Sequence, residues 1–246
     1  VQVTVLGSGD AFSGCGCNAG YLVDNRVLVD CGAPVHVFAR RLGLSVADLR
    51  LVLLTHFHAD HTFMLPMVLG SRAFPYACDA GLTIAGPVGI REYVDRLVDA
   101  GWGKHISDLL DERMDLSFVE LQDGSDELVG AYRVRAHAVV HSIGPSLAYA
   151  VSDESGVTAG FSGDSTHCAG LERVIDQADL MVCECTSFDP SVAGGHLWSG
   201  DVERLIEAHP DTPFLLSHLS ERGEVRGALM AHDLLTVEVT PRQRRG

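Results

Sequence analysis

Short apolar runs separated by polar turns recur along the whole chain, and their period shifts between two, as in strands, and about 3.6, as in helices. Strand-like runs fall at Val1 to Gly7, Gly20 to Asp24, Val27 to Asp30, Leu51 to Thr55 and Leu82 to Ala85. A second series follows at Ser117 to Leu121, Tyr132 to His141, Leu147 to Ser152, Thr158 to Ser162, Leu180 to Glu184, Phe214 to Ser217 and Thr236 to Val239. Pro34 and Pro87 stand where a proline starts a helix, which predicts helices over Val35 to Leu42 and Val88 to Ala100. Helical spacing also marks Gly200 to Ala208 and Glu224 to Ala231. The halves echo each other, because Leu51 to His56 and Phe214 to His218 both close on Thr/Ser-His, while Val27 to Asp30 and Ala159 to Asp164 both close on Asp. Two similar halves facing one pocket predict an α/β fold, a sandwich of two sheets with helices outside.

The strand ends carry the chemistry. Directly after Leu51-Val52-Leu53-Leu54 comes Thr55-His56-Phe57-His58-Ala59-Asp60-His61, with four metal-capable side chains within six residues. In extended chain His56, His58 and Asp60 share one face, and His61 enters from the following turn. Three imidazoles and a carboxylate exceed what one tetrahedral ion needs if more donors arrive from elsewhere, so the cluster suggests two adjacent ions. Further donors do end apolar runs: Asp30 after Val27-Leu28-Val29, His141 after a strand continued through Val139-Val140, Asp164 after Phe161-Ser162-Gly163, and His218 after Leu215-Leu216-Ser217. Loops at such ends are where functional side chains converge.

In this order the residues resemble the metallo-β-lactamase superfamily, whose five motifs match Asp30, His56 to His61, His141, Asp164 and His218 over nearly the whole chain. The resemblance implies a four-layer αββα sandwich of two mixed sheets flanked by helices. It also implies one metal held by His56, His58 and His141, a second held by Asp60, His61 and His218, a bridging Asp164, and Asp30 as a structural carboxylate behind them. The mixed imidazole and carboxylate set fits zinc best, with manganese or iron as alternatives. Two such ions make hydrolysis the default reaction. A flavodiiron-type redox centre does not suit the chain, because that branch replaces the second histidine of the cluster with glutamate, and His58 is present.

Composition agrees with one domain over residues 1–246, since 46% hydrophobic residues suffice for a large core and no low-complexity linker interrupts the pattern. No run of about 18 apolar residues could span a bilayer, and the alternating start is unlike a signal peptide, which places the protein in the cytoplasm without a membrane partner. Seven cysteines leave at least one without an internal mate. Cys15 and Cys17, like Cys183 and Cys185, are too close together for a disulfide framework and read as reduced thiols. A homodimer is compatible with all of this.

For the substrate, the C-terminal third is the guide. Phe161 to Thr166, Cys183 to Phe188, Gly195-His196 and Leu215 to Arg222, with Leu6-Gly7-Ser8-Gly9-Asp10 at the start, resemble the ribonuclease Z-like phosphodiesterase branch. That resemblance implies a catalytic set in which Glu184 and His196 pair near the metals, with His196 serving the departing oxygen, while Asp60 belongs to the metal cluster. The branch's tRNA-clamping arm, inserted between the strand after the third motif and the bridging aspartate, has no room in Ser152-Asp153-Glu154-Ser155-Gly156. Its usual Asp-Thr-Arg is replaced by Asp164-Ser165-Thr166-His167. With 18 Lys+Arg against 33 Asp+Glu, the formal charge of −15 disfavours a long polyanion. The favoured reading is a small phosphodiester or nucleotide-like substrate, ahead of a lactone, thioester or β-lactam, of ribonuclease Z-type RNA 3′-end processing, and of non-catalytic metal binding. His167 reads as a substrate contact, His137 as a support behind the ligands, and Phe63 and Trp102 as packing residues. Trp198 is read as packing that could also line the pocket, and Pro66 to Tyr76 as a segment shaping access. The basic tail of Arg242, Arg244 and Arg245 reads as a solvated terminus.

Overall fold

The computed structural model describes residues 1–74 and 80–242, so Arg244, Arg245 and Tyr76 lie outside the described residues. The first half runs β1 (Gln2–Gly7), β2 (Gly20–Val23), β3 (Val27–Val29), α1 (Val35–Arg41), β4 (Leu51–Leu53), α2 (Ala59–Thr62), α3 (Leu65–Ala73), β5 (Leu82–Pro87), α4 (Ile90–Trp102), α5 (Lys104–Arg113) and β6 (Leu116–Leu121). The second runs β7 (Asp126–Val129), β8 (Tyr132–Ala138), β9 (Leu147–Ser152), β10 (Thr158–Phe161), α6 (Ala169–Gln177), β11 (Leu180–Glu184), α7 (Ser199–Ala208), β12 (Phe214–Ser217), β13 (Ala228–Met230) and β14 (Thr236–Glu238).

These strands form two seven-stranded sheets, ordered β14-β1-β2-β3-β4-β5-β6 and β13-β12-β11-β10-β9-β8-β7. Both are mixed. In the first, β1, β2 and β3 pair antiparallel and β3 to β6 parallel; in the second, β7 to β10 pair antiparallel and β10 to β13 parallel. Each parallel step sends the chain back across an outer face, and helices cover those faces. The apolar side chains sort into three layers accordingly. Val5, Val29, Leu53, Tyr149, Phe161 and Leu215 lie between the sheets, Leu28, Val52, Leu69 and Val94 pack the first sheet against α1, α3 and α4, and Leu171, Val174, Met181 and Leu216 pack the second against α6 and α7. This is the αββα sandwich. Leu53 and Leu215 are fully buried, and truncating either to Ala costs about 2–5 kcal/mol. A buried hydrogen bond of 2.9 Å between Tyr21 Oη and Ser217 Oγ ties the two sheets near the pocket.

Three expectations need correction. The helix expected over Glu224 to Ala231 is instead edge strand β13, because Gly227 turns the chain at φ +87° and Ala228 to Met230 pair with Phe214 to Leu216. The strand expected to reach His141 stops at Ala138, and His141 sits in an irregular segment held by Val139 N–H to Ser146 O and Thr166 N–H to Val140 O. Pro87 closes β5 rather than opening a helix, and α4 starts at Ile90. Helix α6 was not anticipated, although Leu171, Val174, Ile175 and Ala178 carry its spacing. No helix among the described residues is long and apolar enough to cross a membrane.

Candidate metal centre

The C-terminal ends of β3, β4, β10, β11 and β12 open toward one another, and the seven residues expected as ligands meet there. His56, His58, His141 and Asp164 present donor atoms within 4.8 Å of one another, and so do Asp60, His61, Asp164 and His218. Asp164 belongs to both groups. The local path differs from the extended alternation read from sequence. His58 caps α2 and Asp60 and His61 lie within it, so consecutive residues of one helical turn, not alternate residues of a strand, supply the second group. Gly32 makes that turn fit, because a Cβ there would stand 1.6 Å from the Asp60 carbonyl oxygen.

Three strand ends reach the pocket through left-handed backbone, at Asp30 (φ +56°), Gly163 (φ +56°) and His218 (φ +56°). For the two residues with side chains this conformation costs on the order of 1 kcal/mol or more, strain of a kind that clusters at functional sites. The Gly163 turn also passes so close to the segment after β4 that a Cβ would lie 2.9 Å from the Thr55 Cβ.

Hydrogen bonds around the centre fix which nitrogen each imidazole turns inward. His61 Nδ1 donates to Asp30 Oδ2 at 2.8 Å. His56 Nδ1 donates to Thr55 Oγ1 at 3.0 Å, since the Thr55 hydroxyl gives its own proton to Asp30. His141 Nδ1 donates to Gly195 O at 3.3 Å, and His218 Nδ1 to Thr186 Oγ1 at 2.8 Å. In the neutral form all four therefore hold their proton on the outer nitrogen and aim an Nε2 lone pair at the shared space, as metal-binding imidazoles do. His58 differs by offering Nδ1, 3.1 Å from His141 Nε2. Within the cluster, His61 Nε2 lies 3.3 Å from Asp164 Oδ1, and His218 Nε2 lies 3.3 Å from Asp60 Oδ2 and 3.4 Å from Asp164 Oδ2.

The fit to cations shows in what lacks a partner. His56 Nε2, His61 Nε2 and Asp164 Oδ1 are buried and make no hydrogen bond, a costly state unless a positive ion takes their lone pairs. The ion-free electrostatics agree. Burial opposes charge on His61, yet Asp164 and Asp30 raise its pKa well above the ordinary histidine value. His218 is likewise raised, by Asp164 and Asp60 against burial. Burial and the neighbouring His61 lower His56 to about 2. Asp60 and Asp164 stay ionised far below the usual carboxylate range, against burial, through His218 and His61. Protons thus stand where positive charge is needed.

Beside the two groups stands Glu184, 2% exposed at the end of β11. Its Oε1 accepts Ser165 N–H at 2.6 Å and faces His196 Nδ1 at 3.3 Å; its Oε2 accepts Thr186 Oγ1–H at 2.6 Å and Leu197 N–H at 3.2 Å. Burial disfavours a charge on His196, but the hydrogen bond and charge of Glu184, followed by Asp164, raise its pKa to about 9. Thr186 was not singled out in the sequence. It joins His218 to Glu184, and its signal was its place two residues after that glutamate.

The centre forms the floor of an open cavity of about 660 Å³ lined by Asp60, Asp164, His196 and His218. Phe63 stands at its mouth, 61% exposed, which corrects its reading as a packing residue. His167 pairs with exposed Glu172 at 2.8 Å and does not line the cavity. His137 bonds Arg173 and Gln177 outside the ligand groups. Trp198 caps α7 and packs on Gly200 and Arg204, also away from the cavity lining. The six described cysteines are unpaired.

Two donor groups sharing a carboxylate at the facing ends of two sheets define a metal-dependent hydrolase with a site suited to two ions. A family profile described as a β-lactamase superfamily domain matches residues 25–219, and the chain belongs to the metallo-β-lactamase superfamily, in its ribonuclease Z-like branch. The ribonuclease Z of Mycobacterium marinum is 30% identical over 195 residues, covering 74% of this chain and 69% of that one. Among solved structures, human tRNase Z, short form, superposes with a TM-score of 0.75 at 21% identity over 98% of this chain and 100% of that one. A diphosphatase from the PhnP family superposes with a TM-score of 0.73 at 16% identity, over 99% of both chains. At these identities the structural likeness concerns the fold.

Proposed function

We propose that the protein is a two-metal phosphodiesterase acting on a small phosphodiester. His56, His58 and His141 would hold one ion, Asp60, His61 and His218 the other, and Asp164 would bridge them, with zinc best suited to this donor set. When bound, two such ions lower the pKa of water to about 7 and polarise the bond under attack. The chain's own residues supply the rest. Asp30, Thr55, Thr186 and the Gly195 carbonyl hold the imidazoles in orientation. The unpaired cysteines suit the reducing cytoplasm in which we place the protein.

The observation that carries the phosphodiester reading is the His196–Glu184 pair at 3.3 Å beside Asp164. An alkoxide leaving group, as in an unactivated phosphodiester, is too basic to depart without a proton, whereas the thiolate of a thioester departs without such a donor. His196 commits Nδ1 to Glu184, which leaves Nε2 for a substrate oxygen, and Glu184 keeps hold of the imidazolium when the charge of Asp164 is neutralised. A small substrate is favoured over tRNA because β9 and β10 are joined by a tight turn, Asp153 N–H to Val157 O at 3.1 Å, where the branch's clamping arm would project.

His196→Ala tests this. The variant should keep its metals and lose about 10²- to 10⁴-fold in rate for a diester with an alkoxide leaving group, but far less for a nitrophenolate, which departs unprotonated. Equal losses for both leaving groups, or loss of metal, would refute the assignment. Turnover of a lactone or thioester without turnover of any diester would place the protein among hydrolases of carboxyl derivatives.

A further inference from the structure

The cavity above the metal centre has an apolar rim that the hydrolytic chemistry does not use. Phe12, Phe63 and Val192 line it and are 98%, 61% and 69% exposed. They come from three separate segments, the β1–β2 loop, the end of α2 and the β11–α7 loop. Single exposed apolar side chains are ordinary; three from distant parts of the chain around one opening form a surface. Nor is Phe12 a loose tip. Its N–H donates to Asp10 Oδ1 at 2.9 Å, Asn18 Nδ2 donates to Asp10 O at 2.7 Å, and the base of the loop is clamped where Ser8 N–H, Ser8 Oγ–H and Cys17 N–H all donate to Asp233.

Charge narrows what can sit there. Among the described residues that line the cavity none is lysine or arginine, and Asp10 places a carboxylate at the rim. One phosphate would be served by the metal floor and His196, but a second at the rim would meet Asp10 and no lysine or arginine among the described residues.

Resting on the phosphodiesterase reading, we infer that this rim binds an ester group of the substrate. The substrate class is a singly charged phosphodiester bearing at least one bulky aryl or alkyl group and no second phosphate. Diphenyl phosphate and dimethyl phosphate carry the same charge and differ greatly in apolar surface, the property that a binding measurement reads. Calorimetry on the zinc-loaded protein should find diphenyl phosphate bound roughly 10- to 30-fold more tightly, the order expected for burying one phenyl ring. The double variant Phe12→Ser, Val192→Ser changes two exposed side chains, so its fold should persist, and its ratio should fall to about threefold or less. Phenyl and methyl p-nitrophenyl phosphate, which share a leaving group, should show the same preference in kcat/KM.

A wild-type binding ratio near one, or a ratio unchanged in the double variant, overturns the inference. Hydrolysis of both nitrophenyl esters at equal efficiency also overturns it and leaves the phosphodiesterase reading standing. Hydrolysis of neither sinks that reading and this substrate class with it. Self-association in sedimentation velocity that the double variant abolishes would reassign the rim to a contact between copies of the chain.

Discussion

Replacing Thr186 with valine isolates a hydroxyl that joins the two halves of the proposed machinery. Thr186 Oγ1 accepts the Nδ1 proton of His218 at 2.8 Å and donates to Glu184 Oε2 at 2.6 Å. Valine preserves the volume and removes both bonds. His218 is then left with a buried N–H that lacks an acceptor, while Glu184 keeps Ser165, Leu197 and His196 as partners. A hydrogen bond to a charged group contributes about 1.5–3 kcal/mol. Loss of such a bond behind a metal-binding histidine lowers metal affinity roughly 10- to 100-fold, the equivalent of about 1.4–2.7 kcal/mol, so the two estimates coincide.

The effect should fall on one ion. His218 belongs to the group with Asp60 and His61, and the Thr186 hydroxyl bonds His218 and Glu184 rather than His56, His58 or His141. A competition titration against a chelator at fixed pH should resolve two affinities in the wild type and show one of them weakened in Thr186→Val. Thr186→Ser supplies the control, because it keeps the hydroxyl and loses the methyl. If Thr186 acts through its hydroxyl, serine binds like the wild type and valine does not; if it acts by packing, the order reverses. Two ions bound by Thr186→Val within twofold of wild-type affinity would refute the relay.

Asp164→Ala should damage both metal sites and His218→Ala mainly one, as elemental analysis after loading will show; two tight ions retained in Asp164→Ala would exclude a bridging carboxylate. In the ion-free protein the raised pKa values of His61 and His218 contribute stability that is fully present below their unfolded value of about 6.5 and is lost as pH rises through the folded values. The ion-free melting temperature should therefore fall on the alkaline side while zinc affinity climbs, with proton release measurable by calorimetry in buffers of different ionisation enthalpy; zinc binding at neutral pH without proton release would contradict this. Gly163→Ala puts a Cβ at φ +56° and 2.9 Å from Thr55 Cβ, and should cost on the order of 1–3 kcal/mol in denaturant unfolding; a neutral substitution would show that the turn relaxes freely. Activity on a small diester should exceed activity on precursor tRNA, and any tRNA binding should weaken steeply with salt; efficient 3′-end processing at physiological salt would count against the small-substrate reading.

What the sequence made legible follows from what chemistry restricts. Few side chains bind divalent ions, so His56, His58, Asp60, His61, His141, Asp164 and His218 stood out by type and by their place after apolar runs, and the structure brings all seven into two donor groups that share Asp164. The sheets were legible for a similar reason, since Leu51 to Leu54 or Phe214 to Ser217 have few other ways to bury their side chains. Glu224 to Ala231 misled because a helical spacing of apolar residues also suits a short edge strand, and it was Gly227 with the exposed edge of β12 that decided between them. Thr186 and Phe63 mark a deeper limit. Threonine and phenylalanine are ordinary residues whose roles depend on neighbours brought from elsewhere: Thr186 matters because Glu184 and His218 flank it, and Phe63 because α2 turns it toward the opening above Asp60. The metal donors identify a reaction by their own chemistry. The rim and the relay acquire theirs only from the fold, and substrate choice is therefore to be sought in Phe12, Phe63 and Val192 rather than in the motifs that define the superfamily.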